Sequence, residues 1–242
     1  IDNNSKAVGS IGNTLGSIFI FDTMSKTALI IGATGLVGEE CLKELLATPA
    51  YEKVIAVTRK KLKSQNPKLK NILTDFENLD SIASELKADD VFCSMGTTIA
   101  KAGSQEAFKK VDFEIPLAVA KIAKQNGAKK FILVSSLGAD AASNIFYSRT
   151  KGELENALKK LEFDSLVIFR PSILLGDRKE KRTGEAIGRF GAEKLSFLFV
   201  GPLKKYKGTP VDLLGKLMVK LAQEKHAGVR IIENDEIFEL AK

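Results

Sequence analysis

The stretch TALIIGATGLVG at residues 27–38 decides the fold of this chain. Its first five residues are compatible with a strand buried on both faces, and Gly32 follows where the chain has to turn sharply. The next segment, residues 39–47, carries Leu42, Leu45 and Leu46 on one face of a helix. A strand, a glycine turn and a helix in this order predict a loop that binds the phosphates of a nucleotide.

The loop has glycines at every third position, in the pattern GxxGxxG. The common dinucleotide fingerprint is GxGxxG, so the sequence predicts a variant of that loop. Glycine lets backbone N–H groups approach a pyrophosphate, and the start of the following helix adds partial positive charge. The residues predicted to contact the cofactor here are Gly32, Thr34, Gly35, Leu36, Val37 and Gly38.

Regular alternation of apolar strands and helical segments continues after this loop, which predicts an α/β fold with a doubly wound parallel sheet, the Rossmann fold. The length of 242 residues suits one such domain, and no linker interrupts it. Residues 1–23 precede Met24 and are rich in Gly, Ser and Asn, so we expect an added leader there. The single domain is predicted over residues 24–242, with 183–242 forming a small part that covers the substrate.

The composition excludes several classes of function. Cys41 and Cys93 belong to no metal-binding or redox motif, so we expect free thiols in a reducing compartment and a cytoplasmic protein. His226 is the single histidine, which argues against a metal site or a His-based catalytic triad. The net charge is +7, but its cationic clusters lack interleaved aromatic residues, so no nucleic-acid partner is predicted. No apolar run is long enough to span a membrane.

Basic residues follow the second predicted strand, residues 53–58. In a Rossmann fold this strand end meets the adenosine ribose, where a carboxylate binds the 2′-hydroxyl of NAD and an arginine accommodates the 2′-phosphate of NADP. Arg59 stands about 20 residues beyond the glycine loop, Lys60 follows it, and no carboxylate is present. The sequence therefore predicts NADP(H) rather than NAD(H), although a solvated basic loop is the alternative interpretation.

The ends of the next strands supply further candidate contacts. Asp75 and Phe76 end the third predicted strand, and the Asp75 carboxylate is expected to reach the adenine amino group. Gly96, Thr97 and Thr98 follow the fourth strand, where a glycine leaves room for a ribose or pyrophosphate. The helical stretch at 108–125 contains a proline at position 116, which predicts a kink or a restart.

A candidate catalytic group follows the fifth predicted strand, residues 130–134. Ser135 and Ser136 stand at its ligand-facing end, and Tyr147 and Lys151 lie four apart, on one face of a helix. A phenol is a poor general base near neutral pH unless a nearby ammonium stabilises its phenolate, which this spacing provides. The lysine can also hold the nicotinamide ribose, while a serine hydroxyl binds the substrate oxygen.

With these motifs in place, the chain resembles the short-chain dehydrogenase/reductase superfamily in its extended or atypical branch, and more closely the oxidoreductases of the HIV Tat-interacting-protein type. The matching strings are GATG at 32–35, GTT at 96–98, KAG at 101–103, VSSLGAD at 134–140, SN at 143–144, KGE at 151–153, FRP at 169–171 and LGDR at 175–178. The resemblance implies Ser136, Tyr147 and Lys151 as the catalytic triad. It also implies that Pro171, Ser172 and Ile173 line the nicotinamide side and that the helices at 108–125 and 147–160 form a homodimer.

Three functions are compatible with the sequence. The first is an NADP(H)-dependent oxidoreductase that transfers hydride between the nicotinamide and a carbonyl or alcohol substrate. The second is a nucleotide-sugar epimerase or dehydratase, for which the residues after 183 look few. The third is a dinucleotide-sensing regulatory protein whose cofactor changes its affinity for a partner protein.

Overall fold

A computed structural model describes residues 26–176 and 206–242. The predicted leader and residues 183–205 of the predicted covering part lie outside this range. Within it, no helix is long and apolar enough to cross a bilayer, and no group of three or more His, Cys, Asp or Glu residues could hold a metal ion.

A parallel sheet of seven strands in the order β3-β2-β1-β4-β5-β6-β9 forms the centre of the fold. Its strands are β1 (Lys26–Ile31), β2 (Tyr51–Thr58), β3 (Leu69–Leu73), β4 (Asp90–Cys93), β5 (Lys130–Val134), β6 (Ser165–Arg170) and β9 (Gly228–Glu233). A two-stranded parallel sheet pairs β7 (Leu174–Leu175) with β8 (Thr209–Pro210). The order reverses between β1 and β4, and ligands of open α/β sheets bind at this switch point, outside the carboxyl ends of the strands. The predicted Rossmann fold is confirmed.

Helices cover both faces of the large sheet. They are α1 (Leu36–Ala47), α2 (Ile99–Ala102), α3 (Gln105–Lys109), α4 (Ile115–Gln125), α5 (Phe146–Lys159), α6 (Val211–Gln223) and α7 (Asn234–Glu239), with a 3₁₀ helix at Leu79–Glu85. The helical stretch predicted at 108–125 is divided by a π-helical turn, Lys110–Glu114. Pro116 stands in the first turn of α4, where its missing N–H costs nothing, so the restart that proline predicted is present.

The apolar run in β1 is explained by two cores, one on each face of the sheet. Ala28 and Ile30 point into the core beneath α1 and α6, whereas Leu29 and Ile31 point into the core beneath α4 and α5. All four side chains are fully buried. A central strand of a doubly wound sheet needs apolar residues at every position, which is why this stretch shows no alternation.

The C-terminal residues 211–242 add a helix and an edge strand to the large sheet, and the predicted role of 183–242 in covering a substrate stays a prediction. Helix α6 buries its apolar face in the core and packs closely on α1, where a Cβ at Gly215 would lie 2.8 Å from Cys41 N. Strand β9 pairs along its length with β6. An edge strand has one exposed side, as at Val229, so its pattern is weak in the sequence.

Candidate active site at the carboxyl edge of the sheet

The glycine loop is closely packed between β1 and α1. Gly32 has φ +83°, and a Cβ there would lie 2.6 Å from Met95 N beyond the end of β4. Gly38 lies in the first turn of α1, where a Cβ would lie 2.0 Å from Gly32 O and 2.7 Å from Ser94 Oγ. Any side chain at these two positions would push the helix away from the strand, so both glycines are required by the backbone geometry.

The start of α1 is open to a ligand. Gly35 is the N-cap residue and has no side chain to bond the free N–H groups of the first turn, and both Thr34 and Gly35 are exposed. This end of the helix suits a pyrophosphate. Val37 is buried in the core and Leu36 packs partly against it, so of these two predicted contacts Val37 can offer only its backbone.

We expect Gly38→Ala to lower stability by about 1–3 kcal/mol, because the added methyl overpacks the contact with Gly32 O. Gly35→Ala is the matched control, since a Cβ there would lie 3.3 Å from the same oxygen. Urea unfolding followed by circular dichroism measures both changes. Equal unfolding free energies for the two variants would contradict this account of the loop.

Arg59 and Lys60 directly follow β2 and are exposed, and neither forms an ion pair or side-chain hydrogen bond within the described part of the chain. Two hydrogen bonds of the Thr58 hydroxyl hold this turn in place. Thr58 Oγ1 donates to Lys60 O (2.7 Å) and accepts from Asn71 Nδ2 (2.8 Å). The two cationic side chains thus stand on an ordered turn and have no charged partner among the described residues.

Residues 74–76 lie beside that turn, since Thr74 N donates to Thr58 O (3.0 Å). Asp75 is exposed, and its carboxylate accepts a hydrogen bond from Glu77 N (2.9 Å). Phe76 has φ 67° and its side chain is buried in the core, so only its backbone is available to a cofactor.

Lys151 projects from α5 into an ion pair that the sequence analysis missed. Its Nζ lies 2.7 Å from Asp112 Oδ1, and both side chains are almost completely buried. Asp112 Oδ2 accepts a hydrogen bond from Thr97 N (2.8 Å), and a Cβ at Gly96 would lie 3.3 Å from Asp112 Oδ1 and 3.5 Å from Lys151 Nζ. The predicted loop after β4 and the predicted catalytic lysine are therefore adjacent, and Asp112 joins them.

The ion pair keeps Lys151 protonated. Burial acts to lower the pKa of Lys151, but the charges of Asp112 and Tyr147 and the hydrogen bond that Lys151 donates to Asp112 together outweigh it, and the pKa is raised. The π-helical turn between α3 and α4 presents Asp112 to the site. In the sequence, Asp112 is noticeable only as a carboxylate between the apolar residues Val111 and Phe113. Its partner, Lys151, becomes apparent only in the folded structure.

Tyr147 lies in the first turn of α5, half-buried, with its ring 5.6 Å from the Phe108 ring between centroids. Its hydroxyl forms no hydrogen bond within residues 26–176 and 206–242. Helix α5 approaches the loop after β5 closely, because a Cβ at Gly152 would lie 2.2 Å from Ala141 N. The glycine of the KGE string thus brings the helix with Tyr147 and Lys151 against the loop with Ser136.

The two serines after β5 have different environments. Ser135 Oγ donates to Glu155 Oε1 (2.6 Å) in the core, whereas Ser136 Oγ is buried without a hydrogen-bond partner among the residues described. Leu137 N donates to Pro171 O (2.8 Å), which brings this loop beside the end of β6. Of the two, Ser136 has the free hydroxyl that a substrate oxygen would need.

A partly buried ionic network connects these elements beneath the site. Glu155, one turn beyond Lys151, accepts two hydrogen bonds from Arg170 at the end of β6, from Nε (3.0 Å) and Nη2 (2.6 Å). Arg170 Nη1 also donates to Glu233 at the end of β9 (2.9 Å). The hydrogen bond with Glu155 is the main cause of a raised pKa at Arg170. The network connects α5, β5, β6 and β9.

Glu155→Gln is expected to lower the free energy of unfolding by about 3–5 kcal/mol, because it leaves Arg170 partly buried without its bidentate partner. Glu153→Gln on the same helix is the control, since Glu153 forms no ion pair with a described residue. Chemical denaturation at neutral pH provides the measurement. If the two variants unfold at the same denaturant concentration, the network does not brace the site.

The loop after β6 is held by the C-terminal part of the chain. Ser172 N donates to Asn234 Oδ1 (3.0 Å) and to Thr209 Oγ1 (3.2 Å), and both partners are fully buried. Pro171 is buried, and Ile173 is 65% exposed at the same edge. Thr98, in contrast, caps α2 by accepting from Lys101 N (3.3 Å), so its side chain already has a structural role.

Comparisons with known proteins show the family to which this chain is related. A family model described as NAD(P)H-binding matches residues 32–195. HTATIP2 of Rattus norvegicus is 36% identical over 228 residues, which cover 92% of each chain. FMP52 of Candida albicans is 39% identical over 229 residues, covering 89% of this chain and 98% of its own.

Solved structures show the same fold at low identity. MoeE5 in complex with UDP-glucose and NAD has a TM-score of 0.66 at 16% identity, covering 89% of this chain and 80% of its own. A UDP-glucose 4-epimerase from Thermotoga maritima has a TM-score of 0.65 at 19% identity, with coverages of 89% and 81%. At this identity the likeness concerns the fold alone.

The expected cytoplasmic location is wrong by these comparisons, because FMP52 proteins from several fungi are named mitochondrial. Free buried thiols indicate a reducing environment, but they do not distinguish one intracellular compartment from another. The family-model match and the relatives' identity over almost the whole chain establish the relationship, and the chain therefore belongs to the NAD(P)H-binding family that includes HTATIP2 and FMP52.

Proposed function

We propose that the protein is an NADP(H)-dependent oxidoreductase of the short-chain dehydrogenase type that reduces a carbonyl or oxidises an alcohol. The observation that carries the proposal is the buried Lys151–Asp112 pair, which lies directly below Gly96 at the carboxyl edge of the sheet. We infer that a protonated lysine at that point binds a cofactor ribose and stabilises the phenolate of Tyr147. The mitochondrial names of the fungal relatives support a mitochondrial location.

Each residue of the site has a role that its environment supports. The Ser136 hydroxyl, free of other partners in the described chain, orients the substrate oxygen. Tyr147 gives a proton to that oxygen in reduction and takes it back in oxidation. Lys151 stabilises the phenolate that this transfer leaves. NADPH would supply the hydride, held by the glycine loop at the start of α1.

The preference for NADP(H) is proposed from Arg59 and Lys60, which have no charged partner among residues 26–176 and 206–242 and follow the strand whose end would meet the adenosine ribose. We expect NADPH to bind at least tenfold more tightly than NADH, since a 2′-phosphate adds a charge-assisted contact. Arg59→Ala should remove most of this difference, whereas Lys87→Ala, an exposed lysine before β4, should leave it unchanged. Titration calorimetry measures both affinities, and equal affinities in the unchanged protein would overturn the preference.

An assay of catalytic turnover distinguishes the proposed oxidoreductase from a regulatory protein that only binds the dinucleotide. A panel of aliphatic and aromatic aldehydes, ketones and quinones, followed by NADPH absorbance, should contain substrates that the protein reduces. Failure across the whole panel, with NADPH still bound and a partner protein whose affinity depends on NADPH, would support a dinucleotide sensor instead.

A further inference from the structure

Two helical segments contact each other through side chains at the same spacing beside the candidate active site. On α5, Tyr147 and Lys151 lie four residues apart. On the segment before α4, the Phe108 ring lies 5.6 Å from the Tyr147 ring between centroids, and Asp112 Oδ1 lies 2.7 Å from Lys151 Nζ. Phe108 and Asp112 are also four residues apart, and residues at this spacing share one helix face. The two segments therefore run side by side in the same direction, and each of these α5 side chains has a neighbour on the other segment.

The location of Phe108 distinguishes it from ordinary core residues. Its side chain is fully buried, yet within the described part of the chain it belongs to neither core of the sheet. Its ring instead contacts two rings in the first turn of α5, those of Tyr147 and Phe146, the latter at 5.6 Å between centroids. A large apolar side chain buried against this turn, and outside both cores, indicates a local role at the turn.

Phe108 is firmly held in α3. Its backbone N–H donates to Ser104 O (3.0 Å). The Ser104 hydroxyl caps the helix by accepting from Ala107 N (3.1 Å). Closely packed interior side chains keep one orientation, so the Phe108 ring gives Tyr147 a neighbour of fixed position.

The orientation of Tyr147 depends on contacts of its ring. Its hydroxyl forms no hydrogen bond with a residue of the described chain, so it is free for a substrate oxygen but has no polar partner that orients it. A half-buried aromatic side chain can occupy more than one rotamer unless its ring is packed. The Phe108 and Tyr147 rings are tilted by 50°, and their separation is that of favourable aromatic pairs. This contact restricts the ring and leaves the hydroxyl available.

We propose that Phe108 is a positioning residue for the reaction, which holds the Tyr147 ring so that its hydroxyl meets the substrate oxygen beside Lys151. The inference rests on the proposed oxidoreductase function, because Phe108 acts through the hydroxyl of Tyr147. Proton transfer needs a donor and an acceptor within hydrogen-bond reach, and a displacement of about 1 Å can slow a reaction about a hundredfold. Asp112 binds the lysine and Phe108 packs on the tyrosine, so one segment positions both groups.

Phe108→Leu tests the proposal, because leucine keeps an apolar side chain at this position and removes the ring. We expect kcat for carbonyl reduction to fall about tenfold to a hundredfold. The KM for the carbonyl and the affinity for NADPH should each change by less than about threefold, because the groups that bind them are retained. NADPH oxidation and titration calorimetry measure these quantities. Phe108→Met, which is closer in volume, should lower kcat in the same way and replaces the leucine variant if that one does not fold.

Phe163→Leu is the matched control. The Phe163 ring lies 5.3 Å from the Phe131 ring at an interplanar angle of 47°, so its replacement removes a pair of nearly the same geometry. Phe163 precedes β6 and therefore lies at the amino edge of the sheet, opposite the candidate site. We expect it to lower the unfolding temperature in circular dichroism by an amount similar to Phe108→Leu and to leave kcat unchanged.

The double variant Phe108→Leu/Tyr147→Phe distinguishes positioning from a general loss of structure. If Phe108 acts through the Tyr147 hydroxyl, its replacement should change the residual rate of Tyr147→Phe by less than about twofold. A further tenfold fall in the double variant would overturn the inference, as would an unchanged kcat in Phe108→Leu while Tyr147→Phe is slow. Both of these results would leave the proposed function standing. A full rate in Tyr147→Phe would overturn the proposed function and the inference together.

Discussion

Replacing Tyr147 with phenylalanine is expected to lower the rate of carbonyl reduction by about a hundredfold to ten-thousandfold, the usual contribution of a positioned general acid. The change removes one oxygen atom and keeps the ring, so the contact with Phe108 remains. The affinity for NADPH should change little, because the glycine loop and the Lys151–Asp112 pair are intact. The measurement is NADPH oxidation with the best substrate from the carbonyl panel, combined with calorimetry for the cofactor.

Tyr51→Phe is the control for loss of a phenol. Tyr51 donates to Asp90 Oδ2 (2.7 Å) at the opposite edge of the sheet, so its replacement should cost stability and leave turnover of the folded protein unchanged. If Tyr147→Phe retained the full rate, Tyr147 would not be the proton donor, and the proposed function would fail. If its rate fell only together with its NADPH affinity, Tyr147 would act in binding rather than in proton transfer.

The fold could be predicted because its signals are local. The apolar run before Gly32, the helical leucines after it and the proline at position 116 each reflect a constraint that acts within a few residues. The position of the ligand-binding edge then follows from the topology, because the carboxyl ends of all parallel strands lie at the same edge of the sheet. Gly96 follows one such strand end, and in the fold it lies beside Lys151, 55 positions later in the sequence.

What could not be predicted depends on contacts between distant segments. Asp112 lies in a helical stretch whose pattern gives no partner, and only the fold brings it to Lys151. Ser135 and Ser136 are adjacent and chemically identical, so only the family resemblance favours Ser136 in the sequence, and the hydrogen bond from Ser135 to Glu155 supplies the physical difference between them. Strand β9 was missed because residues 228–233 alternate weakly and lie at an edge. Each of these features requires the assembled sheet.

Asp112→Asn is expected to cost about 3–5 kcal/mol at neutral pH, because it removes the counter-ion of a buried ammonium. The amide oxygen can still accept the hydrogen bond from Thr97 N, so the variant changes the charge more than the shape. Without the Asp112 charge, only the smaller contributions of Tyr147 and Cys93 oppose burial, so we expect the pKa of Lys151 to fall below its unfolded value. The unfolded chain then binds more protons than the folded one over the intervening pH range, and there stability rises with pH.

The protein with Asp112 intact should behave in the opposite way. Its Lys151 pKa is raised, so the pair stabilises the fold below the unfolded pKa of about 10.5 and that contribution is lost as pH rises through the folded pKa. Urea unfolding at increasing pH, up to the unfolded pKa of about 10.5, should therefore show stability increasing with pH in Asp112→Asn relative to the unchanged protein. Asp80→Asn, at an exposed position, provides the control.

A double variant separates charge from packing. In Asp112→Asn/Lys151→Met neither partner carries a charge, so we expect the pH dependence to disappear and part of the lost stability to return. We expect the same double variant to lack catalytic activity, because no ammonium is left beside Tyr147. Parallel pH curves for the unchanged protein and Asp112→Asn would show that Lys151 keeps its proton without Asp112. In that case the buried pair would contribute geometry to the site but would not hold the charge that the proposed reaction needs.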